Sequence, residues 1–321
     1  MLVVTPNLCF DRTLWTDRFE AGTVSRPFRV AVTAGGKGVN VVRTLRDLGR
    51  PARLVGLLPD GQGAELKRLL REEGTELRAV PVPGAARWAT IILEADGRAT
   101  VLNEPGPRVG EPECAALLDA LAGELARHPG PAVVVCAGSL PPGLPDDTYG
   151  RVTALVHEHG GTVVVDAARD ALAATLPFGP DAVTPNLAEA NNLLDGVAAE
   201  PSSHGDDVER TRAAAVGAAV RLRDLGARTA IVTAGSHGVA WAGVDGGTCW
   251  EPSRTVTPVN PIGAGDSFVG GLVAARADGA DWCTAVPYAT VVAGAAVEQP
   301  TAGRVDAARV AELAADRQVV R

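Results

Sequence analysis

The chain has almost no lysine. Of its 30 basic residues only Lys37 and Lys67 are lysines, and against 38 acidic residues the formal net charge is −8. There is no run of basic residues, which argues against a nucleic-acid partner, whose binding surfaces carry a cationic patch. No apolar run approaches the roughly 20 residues of a membrane span, so no membrane association is expected. The five cysteines (Cys9, Cys114, Cys136, Cys249 and Cys283) are scattered, with no CxxC and no Cys/His cluster of metal-ligand spacing. They are expected to be reduced, mostly structural thiols. The opening MLVVTPNLCF carries no basic leader and no small-residue cleavage site; it reads as a first strand, and a cytoplasmic location is expected. The remaining composition, 46% hydrophobic and 21% charged over 321 residues, is that of a soluble globular protein able to bury a sizeable core.

Valine- and isoleucine-rich runs at 2–5, 132–136, 162–166, 181–185 and 229–233 read as buried strands. Segments of helical period lie between them, at roughly 38–49, 61–73, 111–127, 146–159, 207–225, 264–278 and 281–297. This alternation predicts an α/β fold with a mostly parallel sheet covered by helices on both faces. Two regions break the rhythm, 10–34 and 87–107, the second alternating apolar and polar residues around a turn at Asp96-Gly97. They read as antiparallel hairpins, which would form either a cover over a cleft or an ordinary edge extension. The polar stretch 198-AAEPSSHGDD-207 reads as a loop.

Glycine lets backbone N–H groups converge on an anion, because no Cβ obstructs the approach. Three stretches have this character. In 34-AGGKGVNVVRTLRDLG-49 a ligand would meet N–H groups, a helix N-terminus, Lys37 and the Asn40 amide; the alternative is a tight turn opening a helix. In 260-NPIGAGDSFVGGLVAA-275, Gly263, Ala264 and Gly265 would open a helix with N–H groups free to stabilise a transferring phosphoryl. Asp266 then falls in the first helical turn, ready to accept a hydroxyl proton or merely complementing the helix dipole. The third stretch, 233-TAGSHG-238, either lies along a nucleotide's phosphates or turns the chain into 239-VAWAG-243. None of these has the order of a Walker A loop or of a dinucleotide-binding fingerprint.

Taken together and in order, these segments resemble the ribokinase-like PfkB carbohydrate kinases over nearly the whole chain. GGKGVNVVRTLRDLG is similar to the family's N-terminal signature and GAGDSFVGGLVAA to its C-terminal one. The segments 5-TPNLCFDRTL-14, 103-NEPGP-107, 137-AGSLPPGLPDDTYGRV-152 and 184-TPNLAEANNLL-194 resemble the 1-phosphofructokinase and tagatose-6-phosphate kinase branch. The resemblance implies a single three-layer α/β/α domain over 1–321 with a β-sheet lid formed by about 10–34 and 86–104. It implies ATP- and Mg²⁺-dependent phosphoryl transfer to a ketohexose monophosphate, fructose 1-phosphate, fructose 6-phosphate or tagatose 6-phosphate. By similarity Asp266 is the general base and Gly263, Ala264 and Gly265 form the anion hole. Asp11, Gly35, Gly36, Lys37 and Asn40 hold sugar hydroxyls. Arg26, Arg87 and Ser139 meet the substrate phosphate, with Arg29 and Lys37 as further contributors. ATP lies along Asn186, Thr233, Gly235 and Gly238 and the anion-hole glycines, its base near 291–295, and Glu189 reaches Mg²⁺ through water. Asn186 and Glu189 also have the spacing of an ordinary helix cap. A homodimer through the lid is the expected assembly.

Three positions depart from that pattern. Thr184 stands where the branch commonly has lysine, Asn260-Pro261-Ile262 replaces a hydroxylic pair and valine, and Arg87-Trp88-Ala89 replaces Arg-x-Asn. Two other readings therefore stay open: a kinase of an unphosphorylated sugar or nucleoside, for which the arginine set would be unnecessary, and a weakly catalytic sugar-phosphate sensor.

Overall fold

The computed structural model describes residues 1–197 and 208–316. The loop expected at 198–207 lies outside the described residues. The chain lays down β1 (Leu2–Val4), a hairpin of β2 (Cys9–Thr16) and β3 (Arg29–Gly35), α1 (Lys37–Asp47), β4 (Arg53–Pro59), α2 (Gly63–Glu72) and β5 (Glu76–Val82). A second hairpin, β6 (Arg87–Glu94) and β7 (Ala99–Asn103), precedes α3 (Glu111–Leu125), β8 (Val133–Ala137), α4 (Thr148–Glu158), β9 (Thr162–Asp166), α5 (Arg169–Thr175) and β10 (Ala182–Val183). Then come α6 (Leu187–Asp195), α7 (Val208–Asp224), β11 (Ala230–Thr233), β12 (Gly238–Ala242), β13 (Thr248–Pro252), α8 (Ala264–Ala277), α9 (Trp282–Val297) and α10 (Ala307–Asp316).

Nine strands form one sheet in the order β13-β12-β11-β10-β9-β8-β1-β4-β5. It is parallel from β11 to β5, with β12 and β13 added antiparallel at one edge. Alternate residues of each strand serve opposite faces. Val4, Val134, Cys136, Val163 and Val165 join Leu117, Val152 and Leu222 on one side. Val3, Val135, Ala137, Val164 and Ile231 join Val41, Leu45, Phe268 and Leu272 on the other. Two-sided burial explains the unbroken apolar runs and gives three layers, helix, sheet and helix.

The hairpins form a separate four-stranded sheet, β3-β2-β6-β7, in which β2 and β6 run parallel and join them. Phe10 stacks on Trp88 with ring centroids 4.8 Å apart and ties this sheet's base to the body. Thus the two expected hairpins exist, and their mutual pairing, a contact far apart in sequence, is what periodicity alone did not supply.

Candidate active site

Parallel strands deliver their C-terminal ends to one rim of the sheet, and ligands of open α/β sheets bind where the strand order reverses. Here the order reverses between β1 and β8, where Thr5 Oγ1 donates to the Ala137 carbonyl at 3.0 Å. Asp166 ends β9 on the same rim, and Asn186 lies just beyond β10, bridged to Thr233 at the end of β11.

The GGKG turn sits over this rim. Gly35 has no room for a side chain, since a Cβ there would fall 2.1 Å from Asp11 Oδ1. Gly36 opens α1, placing Lys37 at its first position. The Lys37 ammonium lies 3.2 Å from Asp166 Oδ1 and 3.4 Å from Glu189 Oε1, with about a third of its side chain exposed. Burial disfavours its charge, but Asp166, Glu189 and Asp266 outweigh that and hold it above its ordinary value. Asn40, one turn along α1, donates from Nδ2 to Asp266 Oδ2 at 2.7 Å.

Asp266 lies in the first turn of α8, which opens from Gly263 in the left-handed conformation (φ 81°). Gly263 passes its carbonyl to Ser267 N–H, whereas the N–H groups of Gly265 and Asp266 have no acceptor among the described residues. A Cβ at Gly265 would meet open space. Asp266 is 7% exposed. Burial, reinforced by Asp166 and Asp11 and opposed by Lys37 and the Asn40 amide, raises it from the usual carboxylate range to about 7. A carboxyl poised at neutrality beside free N–H donors and a cation is suited to proton transfer next to an anion. The departure at 260–262 has a structural account: Asn260 Oδ1 accepts from Ile262 N–H at 3.0 Å and Nδ2 donates to the Pro300 carbonyl at 3.2 Å. Asn260 thus holds the turn from inside.

A second group forms around Asn7. Its Nδ2 donates to Ser139 Oγ at 3.1 Å and to the Pro105 carbonyl at 3.1 Å, while its own carbonyl accepts from Arg87 Nε at 3.1 Å. Arg87 is close enough to Asp11 and Cys9 to act electrostatically on both. Asp11, Arg87 and Ser139 therefore share one neighbourhood, with Asn7 at its centre. Asn7 Oδ1 is buried without a hydrogen-bond partner. Neither Asn7 nor Asp166 had been singled out in the sequence. For Asp166 the available signal is an acidic residue closing an apolar strand run, whereas Asn7 stands two residues beyond the run at 2–5 and carries no comparable signal.

Other expected positions fall elsewhere. Arg26 lies in the exposed 17–28 loop of the first hairpin. Arg29 pairs with Trp15 and Gly35 with Cys9, so that loop is separated from Gly35 by the length of β3, ~20 Å at ~3.3 Å per residue. The Arg29 guanidinium is stacked 4.4 Å from the Trp15 ring. Within one chain neither joins Arg87 and Ser139. The TAGSHG stretch is the turn between β11 and β12; Ala234 N–H bonds to the Gly238 carbonyl at 2.8 Å. Gly238 is accounted for by packing, because a Cβ would fall 2.7 Å from the Trp250 ring. Val291, Val292 and Ala295 are buried against Val305, Val310 and Leu313 and offer no free surface. Asn186 and Glu189 do form the helix cap, at 2.8 and 2.9 Å, which leaves Glu189 Oε1 turned to Lys37. Thr184 is buried, its hydroxyl 3.5 Å from the Val165 carbonyl.

No group of three or more His, Cys, Asp or Glu among the described residues forms a metal cage. The donors present, Glu189 and Asp166 beside open N–H groups, fit a hydrated hard cation carried in with phosphates rather than one held by protein alone.

The family model for pfkB family carbohydrate kinases matches residues 1–307. The chain belongs to this family. It is accordingly a phosphotransferase that takes an alcohol group as acceptor. A 1-phosphofructokinase of Xanthomonas campestris is 32% identical over 280 residues, 87% of this chain and 85% of that protein. One from Haemophilus influenzae is 27% identical over 304 residues, 94% and 92% of the two chains. Among solved structures, Escherichia coli phosphofructokinase-2 in complex with potassium superposes with a TM-score of 0.83 at 22% identity over 99% of both chains. A ribokinase of Thermotoga maritima gives 0.75 at 21% identity, over 98% of this chain and 99% of that one. At these identities the structures establish the fold, a pfkB-type three-layer body with a small attached sheet. No helix among the described residues is long and apolar enough to cross a membrane.

Proposed function

We propose that the protein transfers the γ-phosphoryl of ATP to a hydroxyl of a ketohexose monophosphate, with fructose 1-phosphate ahead of fructose 6-phosphate and tagatose 6-phosphate. The observation that carries this is Asp266: a buried carboxyl raised to about 7, at the mouth of a turn with free N–H groups. Asp266 takes the acceptor hydroxyl's proton. Gly263 and Gly265 present N–H donors to the charge developing on the transferred group, and the Ala264 N–H, which donates to the Pro261 carbonyl at 3.4 Å, would turn to join them. Asp11, Gly35, Gly36, Lys37 and Asn40 orient the sugar. Arg87 and Ser139 hold the phosphate already on it, which is how an acidic protein accommodates an anionic ligand. Fructose 1-phosphate leads because the curated relatives carry the name 1-phosphofructokinase.

The nucleotide lies along Asn186, Thr233, Gly235 and the α8 turn. Mg²⁺ bound with ATP neutralises phosphate charge, within reach of Glu189 through water. The small sheet acts as a lid that excludes water from the cleft. Its outer residues support a homodimer formed through it. Val30 (49% exposed), Val32 (41%) and Leu102 (59%) share one face of this edge-bearing sheet by register, with Arg12 and Thr90 between Val32 and Leu102. In such a dimer Arg26 would reach a sugar phosphate in the second copy, since the length of its own hairpin keeps it from the site in its own chain. The same reading places the protein in the cytoplasm.

The test is ADP formation over a panel of free and phosphorylated sugars and nucleosides. Turnover confined to ketohexose monophosphates is expected. Preference for an unphosphorylated acceptor, or thermal stabilisation by sugar phosphate without ADP release, would replace this reading with one of its rivals.

A further inference from the structure

Three of the five cysteines are buried, but Cys249 and Cys283 are exposed. They come from different elements. Cys249 lies on the edge strand β13, paired across to Trp241 of β12. Paired residues point to the same face of a sheet, so Cys249 shares Trp241's side. That is the side on which Trp282, the first residue of α9, packs against the Trp241 cluster. Asp281 caps α9 by accepting from Thr284 N–H at 2.8 Å, and Arg276 stacks on the Trp282 ring at 4.4 Å. These contacts fix the helix start and with it Cys283. Both cysteines line the same cavity of about 400 Å³, where partial burial and the neighbouring Cys283 and Asp245 raise the Cys249 thiol above its ordinary value.

We infer that Cys249 and Cys283 are a dithiol modification site, which a peroxide converts to an intramolecular disulfide. One thiol, as thiolate, attacks the peroxide oxygen and is oxidised to a sulfenic acid, while the peroxide's other oxygen leaves as water. The second thiol then attacks the sulfenic sulfur, expelling a second water and forming the S–S bond. Two thiols and one hydrogen peroxide thus give one disulfide and two waters. Placement of both thiols on one cavity favours this second step over further oxidation of the sulfenic acid. The cavity admits an oxidant of this size.

The bond would close a loop of about 35 residues that contains the whole turn from Asn260 to Asp266 and all of α8. Oxidation therefore ties the outer edge of the large sheet to the start of the helix that packs along α8. This inference does not depend on the kinase reading, and its primary readout is not activity.

The protein is exposed to hydrogen peroxide, the remaining thiols are alkylated under denaturing conditions, and the product is digested with trypsin without reduction. Expected are a mass loss of about 2 Da before alkylation and a cross-link between peptides 229–254 and 277–304, reversed by dithiothreitol. The melting temperature should rise on the order of 5 °C on oxidation. Neither change should occur in Cys249→Ser or Cys283→Ser, whose sulfenic acids should accumulate instead. Sulfinic acid on either cysteine of the wild type without the cross-link, or a disulfide between two chains, would overturn the inference.

Discussion

The Asn40 amide donates to Asp266 Oδ2 at 2.7 Å, linking the start of α1 to the start of α8 across 226 positions of sequence. The bond favours the ionised carboxylate and so works against the burial that raises Asp266 to about 7. The pH dependence of turnover follows from that balance. kcat should rise with pH through about 7 as Asp266 loses its proton. Asn40→Ala removes a hydrogen bond to the charged form and should move this acid limb upward by up to about one pH unit. A limb that stays in place would show that the bond is not setting the proton affinity of Asp266.

The same shift acts on stability. A carboxyl whose folded-state pKa lies above its ordinary value makes the fold most stable when protonated. The contribution is lost as pH rises from about 4 towards 7 and is constant above that. Keeping Asp266 ionised at pH 8 costs on the order of 4 kcal/mol. Asp266→Asn should therefore melt higher than the wild type at pH 8, with the two converging near pH 4. Thermal melts across that range check it.

The Asn7 cluster predicts a split in kinetic constants. Arg87→Ala should raise KM for a sugar phosphate roughly ten- to a hundredfold, the equivalent of ~1.5–3 kcal/mol for a charge-assisted contact, and leave KM for ATP unchanged. Asn7→Ala releases Ser139 and should raise the same KM about tenfold. If turnover of a free sugar fell equally in Arg87→Ala, the phosphate role would be lost to a general structural one.

How much of this was legible in the sequence varies with the range of the contact involved. Two-sided burial writes itself as unbroken apolar runs, so β8, β9 and β11 could be read directly, as could α3 and α9. β4 and β5, 53-RLVGLLP-59 and 76-ELRAVPV-82, carry charge or proline and did not stand out from the helix between them. The glycine turns were legible because Gly35 and Gly263 answer to local demands, close approach and a left-handed φ. Asp166 and Asn7 were not, since each becomes part of the site only when β1, β8 and β9 lie side by side. Arg26 shows the converse: a similar motif position says nothing about the length of hairpin that separates it from Gly35 within one chain, so any contact with a sugar phosphate would have to be made in the second copy. Gly238 matches a ligand-like pattern, and close approach to the Glu251 carbonyl and the Trp250 ring is by itself enough to demand glycine there.

The lid face supplies an assembly prediction. Val30→Asp together with Leu102→Asp places charge on that face of the small sheet and should give monomers by size-exclusion chromatography with light scattering. In the monomer KM for the sugar phosphate should rise, and Arg26→Ala in the wild-type background should raise it too. A wild type already monomeric at micromolar concentration would remove the dimer from the account.

The most direct measurement is the turnover number of Asp266→Asn with ATP, Mg²⁺ and fructose 1-phosphate at pH 8, on protein shown by its melt to be folded. Loss of a positioned general base predicts a fall on the order of a thousandfold with KM nearly unchanged. Turnover close to wild type in the folded variant would contradict the assignment of Asp266.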